Sequence, residues 1–378
     1  MIHGGPRVLA GIALIAIAAG CSRHAPPSGP AGAGATAAQQ QLNVYSWSLY
    51  IAPDTIPEFE KRTGIKVRYD TFDSNEVLET KLLTGHTGYD IVVPTVNFFE
   101  RQAKAGVYRK LDKSRLPNLR HLDPDIMRRL AVHDPGNQYA IPYMWSMIGL
   151  GYNQDQVAHR LGTHAPLSWS MLLDPASASK LADCGISVLD APPDVVGAAL
   201  IRLGRDPNAD DAASLEAAFA ALRAIRPFIR NFDSQQYVSD LANGSVCLAL
   251  GWSGDVIQAR TRAREAGNGV KVAFFVPSEG SIMTLDAMAI PADAPHPRNA
   301  EDFMNYIMDP QVMARITNAV GYPNGNLASL PFVSPAFRDD PAIYPDAATR
   351  ARLTTQRTKG LDYSRNLSRE WTKLKTGS

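Results

Sequence analysis

Strand-type and helix-type hydrophobic patterns alternate in the segment that follows residue 41. Residues Leu42 and Val44 lie on one face of a short strand, and Gly64 ends the helical pattern that comes next. Asp73 and Glu76 have the spacing of a capping box and predict the start of a second helix. The predicted strands are residues 42–47, 65–69 and 90–94, and the predicted helices are residues 54–62, 73–85 and 97–105. This alternation is typical of a doubly wound α/β unit with a largely parallel sheet.

The pattern changes after Tyr139, where YAIPYMWSMIGLGYN combines a proline, several aromatic residues and two glycines. Such a segment suits a crossover between two parts of a protein. A second set of α/β elements follows it, without an internal repeat. The predicted strands are residues 186–189 and 246–250, and the predicted helices are residues 195–203, 215–225 and 256–266.

Composition supports a large folded protein and excludes two other classes. The chain has 378 residues, of which 45% are hydrophobic, so it can bury a substantial core and is not disordered. Its 38 lysine and arginine residues nearly equal its 37 aspartate and glutamate residues. Because no basic run is interleaved with aromatic residues, we expect no nucleic-acid partner.

The amino terminus has the pattern of an export signal. Arg7 precedes an apolar run over residues 8–19, which is too short to span a membrane. We therefore predict a signal peptide at residues 1–20. The ending AAGC resembles a bacterial lipobox and predicts that Cys21 is lipidated, with a plain signal peptidase site as the alternative. The Gly-, Ala- and Pro-rich remainder of residues 21–41 predicts a flexible tether.

Two further cysteines, Cys184 and Cys247, remain after Cys21. In an exported protein such a pair is favoured as a disulfide over two buried thiols. A bridge between them would contribute about 4 kcal/mol in the chain-entropy model.

Common catalytic motifs are absent from the sequence. It has neither a G-x-S-x-G nucleophile elbow nor a phosphate-binding loop that ends in Gly-Lys-Ser/Thr. Its eight histidines form no H-x-x-x-H pair, so a transition-metal site has no support. We therefore expect no catalytic residue, no metal and no cofactor.

Three acidic residues are candidates for ligand binding. Asp286 stands in the otherwise apolar strand SIMTLDAMAIPA, where a lone carboxylate is costly to bury unless a cation meets it. Asp194 precedes a predicted helix, and Asp255 opens one. Taken singly, Asp194 is explained by helix capping and Asp255 by the helix dipole.

Four aromatic residues share the locations of these acids, at strand ends or loop–helix junctions: Trp47, Tyr50, Trp252 and Tyr322. Ligands of open α/β sheets collect beyond the carboxyl ends of the strands. Aromatic faces attract ammonium groups, and carboxylates give them charge-assisted hydrogen bonds. The combination predicts a site for an organic polycation.

Long collinear stretches of the chain resemble the periplasmic polyamine-binding proteins of bacterial ABC importers, and most closely the putrescine-binding branch. They include YSWSLYIAPDT, TGIKVRYDTFDSNEVLE, LAVHDPGNQYAIPYMW, SQQYVSDLANGSVCLALGWSGDV and REWTKLKTG. The resemblance implies a type II periplasmic binding protein with two doubly wound α/β lobes, a hinge and a ligand cleft between them, and a Cys184–Cys247 disulfide. It implies one lobe at residues 42–144 plus about 262–331, and the other at residues 145–261 plus about 332–378.

The resemblance also implies the ligand-binding residues. Carried over by motif, they are Trp47, Ser48, Tyr50, Thr95, Asp194, Trp252, Asp255, Asp286 and Tyr322. Two further positions depart from the family pattern, because Leu49 replaces an acid and Thr284 replaces a large aromatic residue. Thr95 and Asp194 stand where a serine and a glutamate are typical. These changes leave room for a ligand that is longer, bulkier or less charged than putrescine.

The function implied by this resemblance is extracytoplasmic capture of a polyamine, putrescine-like or a related organic cation, and its delivery to an ABC permease in the inner membrane. The expected protein is a periplasmic monomer that contacts the membrane only through a lipid anchor. The alternative is a sensory or scavenging polyamine-binding lipoprotein that is not coupled to transport.

Overall fold

A computed structural model describes residues 40–377 of the chain. The predicted signal peptide, the lipidation site Cys21 and the tether up to residue 39 lie outside the described residues. Within residues 40–377, no helix is long and apolar enough to cross a membrane.

The first α/β unit has the predicted order of strands and helices. Its strands are β1 (Gln41–Trp47), β2 (Lys66–Phe72) and β3 (Ile91–Val92), and its helices are α1 (Thr55–Thr63), α2 (Asn75–Thr84) and α3 (Val96–Lys104). Strand β1 lies between β2 and β3 and pairs with both in parallel. Gly64 ends α1 with a left-handed backbone, which a glycine adopts at low cost.

The rest of the chain adds seven strands and thirteen further α-helices within the described residues, together with four short 3₁₀ helices. The strands are β4 (Ala140–Asn153), β5 (Ile186–Val188), β6 (Asn231–Phe232), β7 (Leu248–Trp252), β8 (Val272–Phe275), β9 (Ser281–Ala289) and β10 (Leu353–Thr355). The helices are α4 (Pro124–Ala131), α5 (Gln154–Leu161), α6 (Ser170–Leu173), α7 (Pro175–Leu181), α8 (Pro192–Arg202), α9 (Ala212–Ile225), α10 (Gln236–Asn243), α11 (Ser253–Ala266), α12 (Pro297–Ile307), α13 (Pro310–Val320), α14 (Pro335–Arg338), α15 (Ala347–Ala351) and α16 (Leu361–Thr376). The 3₁₀ helices are Lys113–Arg115, Pro117–His121, Arg226–Phe228 and Leu327–Phe332.

Strand β4 joins the two halves of the sheet. The main strand order is β2-β1-β3-β9-β4-β7-β5-β6, with β10 beside β9 and β8 beside β4. Residues 140–147 of β4 pair antiparallel with β9, whereas residues 148–153 pair antiparallel with β7 and β8. Pairing is therefore parallel among β1, β2 and β3 and among β5, β6 and β7, and it is antiparallel between β4 and each of β7, β8 and β9. The predicted crossover segment is itself a strand.

Buried residues form separate cores on the two sides of this connection. One side draws on residues 42–147, 283–322 and Leu353, and the other on residues 148–282 and 367–374. Ala263, Val272 and Phe275 pack with the second group. The two-lobe division stays a prediction, and this packing favours a second crossing between residues 275 and 283 rather than near residue 262.

Two local predictions need correction. Ser74, not Asp73, caps α2, because its hydroxyl accepts a hydrogen bond from the backbone N–H of Val77. Helix α8 begins at Pro192, so Asp194 lies inside its first turn rather than before it. The predicted disulfide is confirmed, since Cys184 and Cys247 are bonded with their Cα atoms 5.5 Å apart.

Candidate ligand-binding site

One cavity of about 170 Å³ brings together every ligand-binding position that the sequence predicts. These positions come from distant parts of the chain: Trp47, Ser48, Tyr50, Thr95, Asp194, Trp252, Asp255, Asp286 and Tyr322. Leu49 and Thr284 line the same cavity. The sheet explains the convergence, because β1, β7 and β9 bring the residues at their ends or on one face to the same region.

Asp286 lines this cavity and is held by two hydroxyl groups. Tyr50 donates to its Oδ2 at 2.6 Å, and Thr95 donates to its Oδ1 at 2.7 Å. Thr95 occupies the N-cap position of α3, but its side chain makes no capping hydrogen bond, since its hydroxyl is directed to Asp286. Burial raises the pKa of Asp286 to about 6, although both hydrogen bonds lower it. The carboxylate is thus fixed in position but is short of positive charge.

Asp255 has a similar environment in the first turn of α11. Tyr322 donates to its Oδ1 at 2.6 Å and Tyr237 donates to its Oδ2 at 2.8 Å. Burial raises the pKa of this carboxyl group, and the two tyrosine hydrogen bonds and the charge of Arg262 oppose the rise. Gly254 permits the arrangement, because a Cβ atom there would lie 2.2 Å from the Tyr322 ring.

The third acid, Asp194, does not cap its helix. Ala191 occupies the N-cap position of α8, and the Asp194 carboxylate instead accepts a hydrogen bond from the Trp252 indole at 3.1 Å. Burial raises the pKa of Asp194 to about 7, the Trp252 bond lowers it, and the charges of Asp286 and Glu76 raise it further. Capping therefore does not explain this residue.

Aromatic rings form much of the remaining lining. Tyr50 and Tyr322 meet edge to face with their centroids 4.8 Å apart, and Trp47 packs against Phe72 at 4.5 Å. Both tyrosines are almost fully buried. The tyrosine that binds Asp286 thus contacts the tyrosine that binds Asp255, so one rigid pair positions two carboxylates.

The lining is strongly one-sided in charge. Six acidic residues contribute to it: Asp73, Glu76, Asp190, Asp194, Asp255 and Asp286. Among residues 40–377, no lysine, arginine or histidine lines it. Asp190 is neutralised from outside by Lys375, at 2.7 Å. Desolvated carboxylates without a basic partner are stabilised by a cation, so the cavity suits a positively charged solute.

Leu49 occupies an unusual place at the cavity. Its side chain is 57% exposed, and its φ of +55° lies in the left-handed region that a leucine rarely adopts. An aspartate or asparagine would tolerate this backbone better, and an aspartate would add negative charge. Leu49 therefore places a hydrocarbon side chain at the cavity at some cost in backbone strain.

Several lining residues were not predicted, and they include Asp73, Asn75, Glu76, Asn97, Ser146, Asp190, Gln235 and Gln356. Asp73 and Glu76 have the spacing of a capping box, and that pattern does not indicate their place at the cavity. Asn75 has a supporting role, because its side chain exchanges two 3.0 Å hydrogen bonds with Thr95. Gln356 comes from the carboxyl-terminal segment, where no sequence pattern indicated a ligand site.

The described residues 40–377 contain no group of three or more His, Cys, Asp or Glu side chains placed to hold a metal ion. The acids of the cavity instead hold tyrosine, threonine and tryptophan donors.

Comparison with known proteins gives a consistent result. The family model described as bacterial extracellular solute-binding protein matches residues 54–345. The chain is 50% identical over 343 residues to the putrescine-binding periplasmic protein PotF of Escherichia coli, covering 90% of this chain and 93% of PotF. It is 49% identical over 348 residues to the putrescine-binding periplasmic protein SpuD of Pseudomonas aeruginosa, covering 92% and 95% of the two chains.

Solved structures agree with these sequence relatives. A putative spermidine/putrescine ABC transporter protein from Listeria monocytogenes superposes with a TM-score of 0.80 at 28% identity, covering 90% of this chain and 100% of that one. The spermidine/putrescine ABC transporter substrate-binding protein PotD of Streptococcus pneumoniae superposes with a TM-score of 0.74 at 27% identity, covering 89% of this chain and 99% of that one.

Proposed function

We propose that this chain, which belongs to the bacterial extracellular solute-binding protein family, captures a polyamine or a related organic cation in the periplasm and delivers it to an ABC transporter. Membership of this family confirms the expected type II periplasmic binding protein fold and the expectation that the protein is not an enzyme. The names of its relatives support putrescine and spermidine as the chemical class of the ligand.

The observation that carries this proposal is the charge of the cavity. Six carboxylates and several aromatic rings line it, and no basic side chain of residues 40–377 does so. Each aromatic face can offer an ammonium group roughly 0.5 to 2 kcal/mol of cation–π attraction. The carboxylates supply charge-assisted hydrogen bonds, so a flexible cation with an apolar chain matches both parts of the lining.

The binding mechanism follows from how the acids are held. Asp286 and Asp255 are each fixed by two hydroxyl donors, so little reorganisation is needed when an ammonium group arrives. Val195, next to Asp194 in the chain, packs in a different core from Tyr50, and Asp194 and Tyr50 line the same cavity. In this proposal the two predicted lobes close on the ligand by hinge motion about β4 and β9, which excludes water and strengthens the electrostatic attraction.

The protein is periplasmic, as the family and the relatives indicate. We propose in addition that Cys21 carries a lipid anchor, supported by the lipobox-like AAGC, and that the mature protein is a monomer. Mass spectrometry of the mature amino terminus tests the anchor. A lipid-modified Cys21 in the unchanged protein, lost in Cys21→Ser, is expected, and an unmodified amino terminus would contradict it.

A thermal-shift panel tests the choice of ligand class. Putrescine, cadaverine, spermidine, spermine and agmatine should raise the melting temperature of the purified protein, because they bind only the folded state. Neutral sugars and acidic amino acids at the same concentrations should leave it unchanged. A rise with sugars or acidic amino acids, and none with the amines, would overturn the polyamine assignment.

A further inference from the structure

Two hydroxyl groups face the cavity from the strands that connect the two halves of the sheet. Ser146 in β4 and Thr284 in β9 are directly opposite in the antiparallel register. Their Oγ and Oγ1 atoms are 2.7 Å apart and form a hydrogen bond. Ser146 is 2% exposed, and both residues line the cavity. We call these two residues the hydroxyl pair.

The hydroxyl pair lies between the acidic ends of the cavity. Thr284 and Asp286 are two residues apart on β9, so their side chains lie on the same face, about 7 Å apart along the strand. On β4, Ser146 precedes Ile148 by the same interval, and Ile148 is opposite Trp252 of β7. The Trp252 indole in turn binds Asp194. A ligand that extends from Asp286 towards Asp194 therefore passes over the hydroxyl pair.

The chemistry of the hydroxyl pair differs from the rest of the lining. The bond between the two hydroxyls uses one O–H group and leaves free lone pairs on both oxygens. Because acids surround the pair, the local potential favours an N–H donor over a carbonyl or another acceptor. A stretch of methylene groups placed here would exclude water from the lone pairs. The hydrogen bonds that water makes to them would then be lost without a replacement.

We propose that the Ser146–Thr284 hydroxyl pair is a hydrogen-bonding subsite for a nitrogen inside the ligand chain, and that the receptor consequently prefers a triamine to a diamine of the same length. This inference rests on the proposed function, because it concerns the middle of a cation whose ends the acids hold. The spacing of about 7 Å from Asp286 to Thr284 suits a terminal ammonium followed by a four-carbon spacer and a secondary nitrogen.

The test compares two ligands of equal length by calorimetry at constant pH. Spermidine and 1,8-diaminooctane have the same number of chain atoms between their terminal nitrogens, but only spermidine has an interior nitrogen. The unchanged protein should prefer spermidine by at least about tenfold. Thr284→Val keeps the shape of the side chain and removes its hydroxyl. It should weaken the binding of spermidine alone and so reduce this preference by about tenfold.

Two further variants support the comparison. Ser146→Ala removes the other hydroxyl and should change the preference in the same direction, which keeps the test usable if one variant folds poorly. Thr80→Val, on the exposed surface of α2, should leave the preference unchanged. Circular dichroism melting shows whether each variant remains folded.

The outcomes separate this inference from the proposed function. If both amines bind and neither hydroxyl variant alters the preference, the hydroxyl pair does not bind the interior nitrogen of the ligand and the inference is overturned. Equal affinity for the two amines in the unchanged protein overturns it as well, while the polyamine function remains. If no amine binds to the folded protein, the proposed function itself fails.

Discussion

The Tyr50 hydroxyl donates a 2.6 Å hydrogen bond to the carboxylate of Asp286, although 236 positions separate the two residues in the sequence. Both side chains are more than nine-tenths buried. Tyr50 is held in turn, because the Tyr143 hydroxyl donates to its backbone carbonyl at 2.6 Å. The cavity thus contains an acid whose position is fixed before any ligand arrives, and whose charge still needs a cation.

Replacing Asp286 with asparagine should weaken polyamine binding by at least roughly tenfold, since a buried ammonium group would lose its charged partner while the shape of the site is kept. Calorimetry with putrescine or spermidine measures the loss. Asp362→Asn removes an acid from the exposed start of α16 and serves as the matched control, with unchanged affinity expected. Equal affinity in Asp286→Asn would remove this residue from the binding site.

Polyamine affinity should fall as the pH is lowered from 8 to 5. The pKa values of Asp194 and Asp286 are raised to about 7 and about 6, so the empty cavity holds protons in this range that a bound cation must displace. Binding near pH 6.5 should therefore release protons, which is detected as a binding enthalpy that depends on the ionisation enthalpy of the buffer. Asp194→Asn should reduce that dependence, and a buffer-independent enthalpy in the unchanged protein would contradict the mechanism.

The same raised pKa values predict how the stability of the empty protein depends on pH. A carboxyl group whose pKa is higher in the folded state makes the folded protein bind more protons than the unfolded chain, whose aspartates titrate near pH 4. The contribution of Asp194 and Asp286 to stability should therefore increase as the pH falls from 8 to 5. Melting curves of Asp194→Asn should show a weaker increase than those of the unchanged protein, and parallel curves would count against the burial of this carboxylate.

Replacing Leu49 with aspartate should strengthen the binding of diamines. The substitution adds a carboxylate at the cavity and suits the left-handed backbone at this position, where φ is +55°. Leu49→Asn is the matched control, because it relieves the same strain without adding charge. A gain in putrescine affinity with aspartate only, and a gain in melting temperature with both residues, is expected. Equal putrescine affinity in the aspartate and asparagine variants would show that charge at this position is irrelevant.

Removing the disulfide should lower stability and leave ligand binding intact. The bond between Cys184 and Cys247 closes a loop of 63 positions, so its loss should cost about 4 kcal/mol of the free energy of unfolding in the chain-entropy model. The double variant Cys184→Ser/Cys247→Ser measures this by chemical denaturation. Neither cysteine lines the cavity. A large loss of affinity in a folded double variant would contradict this separation of roles.

The sequence predicts some of the cavity acids because a carboxylate in an apolar segment needs a partner. Asp286 was recognisable because a carboxylate in an apolar strand needs a partner, and the structure supplies Tyr50 and Thr95 as donors. Asp194 was ambiguous, because an acid near a helix start is equally consistent with capping. The hydrogen bond from Trp252, which lies in strand β7, shows that Asp194 is not a capping residue.

Other features could not be read from local patterns. The hydroxyl of Ser146 faces the cavity because β4 runs through both halves of the sheet, and that register depends on pairing with β9 and β7. Pro142 lies inside β4, and the strand accommodates it next to a shift in register between Pro142 and Trp145. Glu76 looked like part of a capping box, and its place at the cavity depends on how α2 packs.

Calorimetric titration of the purified, ligand-free protein with putrescine and spermidine at neutral pH tests the central claim most directly. A cavity with six carboxylates and no basic lining residue among residues 40–377 should give saturable binding of one polyamine per chain. That binding should weaken at high salt, because it depends on charge, and should weaken strongly in Asp286→Asn. The absence of saturable binding of either amine to a folded, ligand-free protein would contradict the account.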